Sequence, residues 1–354
     1  MLPFPGYCEK PSKWYRFVET GDLNWPKERL VSKLDLTMKN DKTEFRSSET
    51  DLSQGSNLKY VIVTPARNES ASIEQTIKAM VVQTVRPLKW VIVSDGSTDD
   101  TNAIVSRYAA KEGWIELVQL PERKERHFAG KVIAFNAGYS RVAGLNYDLI
   151  GNLDADITMD PDHFDFLLKK FAQYPRLGVA GTPFREFERQ YDYRFTSIEH
   201  VSGACQLFRR ECFEQIGGYV PIKIGGIDLV AVLTARMKGW QTRSFLEKYC
   251  VHHRKMGTAS RNVMAACFKG GQGDYMLGMH PVWEIFRCIY QMTAPPILVG
   301  GCLRLAGFFW GIITRVEKVV PDDLVKFRRA EQMRRLRDFI RRVITRRLSN
   351  PQTT

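Results

Sequence analysis

The sequence predicts an α/β fold in which crossover helices join the strands of a parallel sheet. Three observations predict it: strands and helices alternate from Leu58 onward, polar motifs fall at three equivalent strand ends, and the chain carries no internal repeat. The first strand is the β-branched run "KYVIVTPARNES", broken at Pro65, and in the following "ASIEQTIKAMVVQ" the residues Ile73, Ile77, Met80 and Val81 recur at helical spacing. "KWVIVSDGSTDDTNAIVSRYAAKEG" supplies a second buried strand, a turn at Asp95 and Gly96, and a helix capped by Ser97 or Thr98. "IELVQL" reads as a third strand, "AGKVIAFNAGYSRVAG" as a helix, and "YDLIGNLDAD" as a fourth strand. Later, "LVAVLTARMKG" reads as a helix and "SFLEKYCV" as a strand.

At 354 residues and 44% hydrophobic content, the chain has room for one large α/β domain with appendages or for two ordinary domains. It opens "MLPFPGYCEKPSKWYRF", without a basic stretch followed by an apolar one, so the expectation is a cytoplasmic protein with no secretory signal. The seven cysteines (Cys8, Cys205, Cys212, Cys250, Cys267, Cys288 and Cys302) are odd in number and lack C-x-x-C spacing. That pattern argues against a disulfide framework and against a structural zinc site, leaving reduced, mostly buried thiols. A net charge of +13 raises nucleic acid as a partner, but much of the excess lies in one segment, "KFRRAEQMRRLRDFIRRVITRRLS".

One acidic cluster stands against this basic background. Asp154, Asp156, Asp160 and Asp162 fall within nine residues, at the end of the fourth strand. Carboxylates so close repel one another, so they need solvent or a cation. "PARNE" and "SDGS" sit at equivalent strand ends, the edge where parallel sheets bind nucleotides. No G-x-G-x-x-G follows the first strand and no P-loop occurs, which lowers the dinucleotide and ATPase readings. Strand alternation would put Asp154 and Asp156 on one side, while Asp160 and Asp162, flanking Pro161, read as turn and helix-cap residues.

Taken in order, "VIVTPARNE", "VIVSDGSTDDT", "GKVIAFNAG", "NLDADITMDPD", "SGACQLFRRECFEQIGGY", "IDLVAVLTARMKGW" and "HHRKMGT" resemble the successive motifs of an inverting family 2 glycosyltransferase with the GT-A fold. The resemblance covers residues 58–257 and implies a Rossmann-like core that binds a nucleotide-diphospho-sugar. It assigns the base and ribose to Pro65, Ala66, Asn68, Glu69 and Asp95; the Asp95 carboxylate can accept an N–H from a uracil or guanine edge. Lys131 opens a helix, where a cation and free backbone N–H groups can meet a diphosphate, and the resemblance makes it a donor contact.

By the same resemblance the D-A-D is the metal motif. Asp156 goes to a Mg2+ or Mn2+ ion and Asp154 to the ribose or the metal shell. His252 or His253 would add an imidazole ligand, alternation allowing only one of them to face the site. Asp228, eleven residues before the glycine of Gly239-Trp240, takes the place of the general base. Family members carry an E-D pair there, whereas this chain has Ile227 before the aspartate, which puts acceptor orientation in doubt. Gly203, Cys205 and Gln206 would form the acceptor side, with no catalytic role for the Cys205 thiol.

Outside the core, residues 1–57 read as a variable extension, 258–320 as a helical, apolar extension and 321–354 as a basic amphipathic helix. "ILVGGCLRLAGFFWGII" is about 17 residues long and interrupted by Arg304, short for a membrane span. Beside it, Phe327, Met333, Leu336, Phe339, Ile340 and Val343 share one face of an arginine-rich helix. Such a pair predicts peripheral attachment to the inner face of the cell membrane, and removal of residues from Val320 onward would leave the sugar-nucleotide site folded. The expected reaction moves a sugar from a nucleotide-sugar donor to a saccharide or lipid-linked acceptor, in cell-envelope or exopolysaccharide synthesis and without nucleic acid. Two alternatives are a polyprenyl-phosphate glycosyltransferase and, in a different class, a nucleic-acid-binding protein that uses the arginine-rich tail.

Overall fold

The computed structural model describes residues 57–122, 128–186, 189–190, 197–254, 263–292 and 298–349, so residues 1–56 of the predicted N-terminal extension and the Val343 side chain lie outside the described residues. From Tyr60 the elements follow the predicted alternation: β1 (Tyr60–Ala66), α1 (Ile73–Val81), β2 (Lys89–Asp95), α2 (Thr101–Ala109), β3 (Ile115–Leu120), α3 (Ala129–Val142) and β4 (Leu149–Leu153). Next come β5 (Ile157–Met159), α4 (His163–Gln173), β6 (Leu177–Gly181), β7 (Phe184–Glu186), β8 (Arg189–Gln190), β9 (Cys205–Arg209) and α5 (Arg210–Gln215). The chain continues through α6 (Ile227–Met237), β10 (Gln241–Ser244), β11 (Cys250–His252), α7 (Val263–Met276), α8 (Pro281–Gln291), α9 (Val299–Ile313) and α10 (Asp322–Ser349).

Seven strands form the main sheet in the order β10-β6-β9-β4-β1-β2-β3. The sheet is mixed rather than parallel, because β9 runs antiparallel to both β4 and β6. Alternation along each strand supplies both faces. Tyr60 and Ile62 of β1, with Trp90 and Ile92 of β2, pack with Ile73, Ile77 and Met80 of α1 and with Phe164, Leu167 and Phe171 of α4. On the other face Val61, Val63, Val91 and Val93 meet Val132 and Phe135 of α3, Phe213 of α5, and Val230 and Leu233 of α6. Each such side chain, taken fully out of water, contributes roughly 1.5–3 kcal/mol before entropy is charged against it.

A second sheet, β5-β11-β7-β8, consists of strands of two or three residues, below the length at which a period can be read from sequence. The predicted strand "SFLEKYCV" is two pieces: β10 ends at Ser244, and β11 starts at Cys250 after a turn. Thr101 starts α2 later than expected, and Asp99 rather than Ser97 or Thr98 takes its N–H, at 3.1 Å.

The C-terminal helices carry the largest correction. The first half of α10 is part of the protein core: Leu324 and Val325 are buried with Val230 and Leu233 of α6. Arg328 is buried and donates to the Leu277 carbonyl at 2.5 Å. Arg236 of α6 makes a two-pronged pair with Glu331, both contacts at 2.9 Å, and Arg335 pairs with Glu331 at 3.3 Å and with Glu199. These arginines are therefore not a solvated basic face, and removing residues from Val320 onward would strip the support of α6, the helix that carries Asp228. Leaving the nearly buried Arg236 guanidinium without Glu331 is costly, on the scale of roughly 3–5 kcal/mol for a broken buried pair.

The apolar extension is bound by close backbone contact and buried charge. A Cβ on Gly271 of α7 would run into the carbonyl oxygen of Arg304 on α9, and one on Gly307 into that of Phe268, so glycine at both points lets the two helices touch. Asp274, Glu284, Arg287 and Arg304 close a network between α7, α8 and α9, with Arg304 to Asp274 at 2.5 Å and Arg287 to Glu284 at 2.8 Å. Among the described residues no helix is long and apolar enough to cross a membrane.

Candidate active site

Three strand ends of the main sheet converge on one edge, and the loops that leave them carry the polar residues. Parallel pairing aligns Pro65 of β1 with Val93 of β2, and Val63 with Asn152 of β4, so Asp95 and the turn after Leu153 face the same edge. The loop after β1 is tied to the loop after β2. Asn68, in the left-handed region at φ 54°, accepts the Thr98 N–H at 2.8 Å with its side chain, and the Glu69 N–H is held by Thr101 at 2.8 Å. Asp95 is buried at the end of β2.

A cavity of about 240 Å³ opens beside this edge, and Lys131, Asp154, Gly203, Asp228 and His252 line it among others. Lys131, in the first turn of α3, pairs with Asp154 at 2.5 Å. Asn152 braces that carboxylate at 3.0 Å and also donates to the Gly203 carbonyl at 2.6 Å. Across the cavity, the Gly203 N–H donates to Asp228 at 3.0 Å, which fixes the carboxylate of α6 by one oxygen. Ile227 presents an apolar wall where the resembling motif has an acid.

Asp154 and Asp156 lie in the turn between β4 and β5, not on a strand, so strand alternation is not what orients them. Asp156 is buried; His252 stands 3.5 Å from it and Arg254 3.9 Å. Arg254 also reaches Glu69 at 2.8 Å, and Glu186 stands 3.6 Å from the far nitrogen of His252. His253 is turned elsewhere, its ring bonded to Thr158 at 2.8 Å and its N–H to the Asp156 carbonyl. Of the two candidate histidines only His252 comes to the acidic cluster. Gln206 is also displaced from its expected place: it is fully buried, donating to the Val201 carbonyl at 2.9 Å and accepting from Tyr219 at 2.7 Å, so it supports the wall without lining it.

The electrostatics of the cluster are those of surplus negative charge. Burial, with Asp154 next to it, pushes the Asp156 carboxyl up. Burial raises Glu69 to about 7, with Asp156 and Asp154 adding to the rise and Arg254 opposing it. A folded state that holds this proton while the unfolded chain gives it up gains stability below an ordinary value of about 4.5, and that contribution is lost as pH rises through about 7. Glu69→Gln is therefore expected to become progressively more stable relative to wild type between pH 5 and pH 8. Urea midpoints across that range measure it, and a constant difference would remove the perturbed carboxyl.

Sequence reasoning missed Asn152, Glu186 and Arg254. Asn152 was visible as the one polar side chain in the apolar run "LIGNL", where a buried amide needs a purpose. Glu186 gave no signal, because β7 is three residues long.

Comparison with known proteins agrees with this geometry. Residues 61–219 match the model of the family described as Glycosyl transferase family 2. Over residues 61–219 the chain is thus similar to family 2 glycosyltransferases. Over 136 residues it is 31% identical to a poly-beta-1,6-N-acetyl-D-glucosamine synthase of Staphylococcus aureus, an alignment covering 38% of this chain and 31% of that protein. It is 23% identical over 182 residues to a glucosyl-dolichyl phosphate glucuronosyltransferase of Haloferax volcanii, covering 45% of this chain and 54% of that one. The chain thus spans between a third and about half of the length of these curated relatives. Among solved structures, a mannosyltransferase from Pyrobaculum calidifontis in complex with GDP-Man and Mn2+ superposes with a TM-score of 0.51 at 18% identity, covering 83% of this chain and 84% of that one. At that identity the likeness speaks for the fold: the chain has a GT-A-like α/β core with a mixed sheet.

Proposed function

We propose that this protein is an inverting, metal-dependent glycosyltransferase that moves a sugar from a nucleotide-sugar donor to a saccharide or lipid-linked acceptor. The observation that carries the reading is the placement of Asp228, Lys131, Asp154 and His252 around one cavity at the strand ends. Asp228 takes the proton of the acceptor hydroxyl as that oxygen attacks the anomeric carbon. The bond from that carbon to the diphosphate breaks on the opposite face, and the leaving group keeps the electron pair. Lys131, at a helix start, supplies positive charge and free N–H groups to the diphosphate. Pro65, Ala66, Asn68 and Asp95, on the adjoining strand ends, hold the nucleoside.

The acidic cluster fits a hard divalent cation, since burial and, second to it, neighbouring negative charge raise the Asp156 and Glu69 carboxyls and an imidazole stands beside Asp156. Asp156 and His252 would hold Mn2+ or Mg2+, with Asp154 and Glu69 next to them. Such a cation, when bound, stabilises charge on the departing nucleoside diphosphate as a Lewis acid. The Pyrobaculum mannosyltransferase, crystallised with GDP-Man and Mn2+, supports the class of donor and the ion. A panel of sugar nucleotides with and without Mn2+, read by thermal shift, tests the reading, because a ligand that binds only the native state raises its melting temperature. No shift with any uridine or guanosine donor in Mn2+ would overturn it.

We further propose that the helical extension rests on a membrane surface. Ile313 is 75% exposed, Leu298 61%, Ile289 59% and Trp310 52%, so α8, α9 and the residue before α9 present an apolar face that the described residues leave open. The double variant Trp310→Glu, Ile313→Glu is expected to stop sedimenting with anionic vesicles while keeping its melting temperature. Unchanged sedimentation would send the search to Arg334, Arg337 and Arg341, the exposed arginines of α10 among the described residues.

A further inference from the structure

His163, Cys205 and Cys250 come from three separate elements, the start of α4, β9 and β11, and meet in the apolar core beneath the cavity. All three are buried, at 0%, 3% and 1% exposure. His163 Nε2 lies 3.9 Å from the Cys205 sulfur and 3.7 Å from the Cys250 sulfur, and Thr182 Oγ1 lies 3.5 Å from the latter. We propose that these three side chains form a structural site for a thiophilic divalent cation, zinc, distinct from the acidic cluster of the glycosyltransferase site.

The distances decide the size of the ion. The imidazole nitrogen is 3.9 and 3.7 Å from the two sulfurs and all three ligand atoms lie within 4.8 Å of one another, a spacing that one ion with zinc–sulfur and zinc–nitrogen bonds of about 2.3 and 2.0–2.1 Å can span. Charge decides the class. Two thiolates and a neutral imidazole around a dication sum to zero, the only total an apolar core holds cheaply; a monovalent copper ion would leave one negative charge buried. Binding replaces two S–H bonds with two metal–sulfur bonds and releases two protons, with no oxidation or reduction.

The absence of C-x-x-C spacing excludes only sites whose ligands are close in sequence, and these three are forty or more residues apart. Position also suggests a purpose. Cys205 faces Leu153 across the main sheet, and Cys250 faces Met159 and Phe184 across the small one. A metal would join the two sheets two residues before His252 and two residues after Gly203, holding both walls of the cavity in register.

Protein made in zinc-supplemented medium and dialysed against EDTA, which strips ions from the open acidic cluster, should contain about one zinc per chain by mass spectrometry. Asp156→Ala should retain that zinc and Cys302→Ser should retain it too, whereas Cys205→Ser with Cys250→Ser should lose it. Wild-type protein made with cobalt should show sulfur-to-cobalt charge transfer in the near ultraviolet, a signature that oxygen ligands do not give. Metal-free wild-type protein, or cobalt protein without that absorption, overturns the proposal. Both readings use the wild type, so a cysteine variant that fails to fold leaves the test intact.

Discussion

Asp156→Ala is expected to abolish the Mn2+ dependence of nucleoside-diphosphate binding, with affinity in the presence of the ion falling by at least about 100-fold, above the 10–100-fold cost of losing a group that merely orients a ligand. Asp156 is the carboxylate that meets His252 Nε2, at 3.5 Å, with Arg254 3.9 Å away, whereas Glu186 meets the opposite ring nitrogen. The variant should not fail by unfolding. Its carboxyl is raised by burial and by Asp154, which means that its charge opposes folding, and removing it should leave the apoprotein's melting temperature equal or higher above neutral pH. Arg254 remains as a cation beside the site, so weak, metal-independent binding of the diphosphate should persist. Calorimetric titration with a nucleoside diphosphate, with and without Mn2+, separates the two kinds of binding. Wild-type affinity in Mn2+ would remove Asp156 from the metal.

What the sequence made legible is what local pattern encodes. Period-two runs such as "YVIV" and "WVIV" must bury both faces, and they specify the central parallel strands and the helices that cover them. The ends of those strands followed, and with them the position of Asp95, Asp154 and Asp156 along one edge, whereas Lys131 and Asp228, at helix starts, were picked out by the resemblance alone. Non-local pairing was not legible. Nothing in "CQLFR" announces that β9 inserts antiparallel between β4 and β6, and nothing in "FRE" or "CVH" announces the small sheet that brings Glu186 to His252. The arginine-rich helix misled for a related reason: composition counts charges, whereas Glu199 and the Leu277 carbonyl, distant in sequence, take up Arg335 and Arg328 inside the fold. Gln206 was assigned to the acceptor side by resemblance, whereas its side chain is spent on the Val201 carbonyl and the Tyr219 hydroxyl behind the wall.

Asp228→Asn is expected to leave donor binding nearly intact and to lower transfer by about 100-fold or more, the scale of general-base catalysis. The amide oxygen can still accept the Gly203 N–H that now holds the carboxylate at 3.0 Å, so the helix start and the cavity wall keep their shape. Only basicity is lost. Ile227 makes the outcome more telling, since no neighbouring acid of α6 stands ready to replace the base, and the wall beside Asp228 is apolar. An acceptor that arrives as a polyprenyl phosphate is already an anion and hardly needs a base; for it the same variant would lose only a few-fold. Steady-state transfer with saccharide acceptors and with polyprenyl phosphate, each at saturating donor, therefore measures the role of Asp228 and the class of acceptor together. A loss confined to the saccharide, with kcat reduced and KM for the donor unchanged, is the result expected of a base that acts on the attacking hydroxyl. Turnover of every acceptor within a few-fold of wild type would leave Asp228 as a residue that merely positions the Gly203 turn.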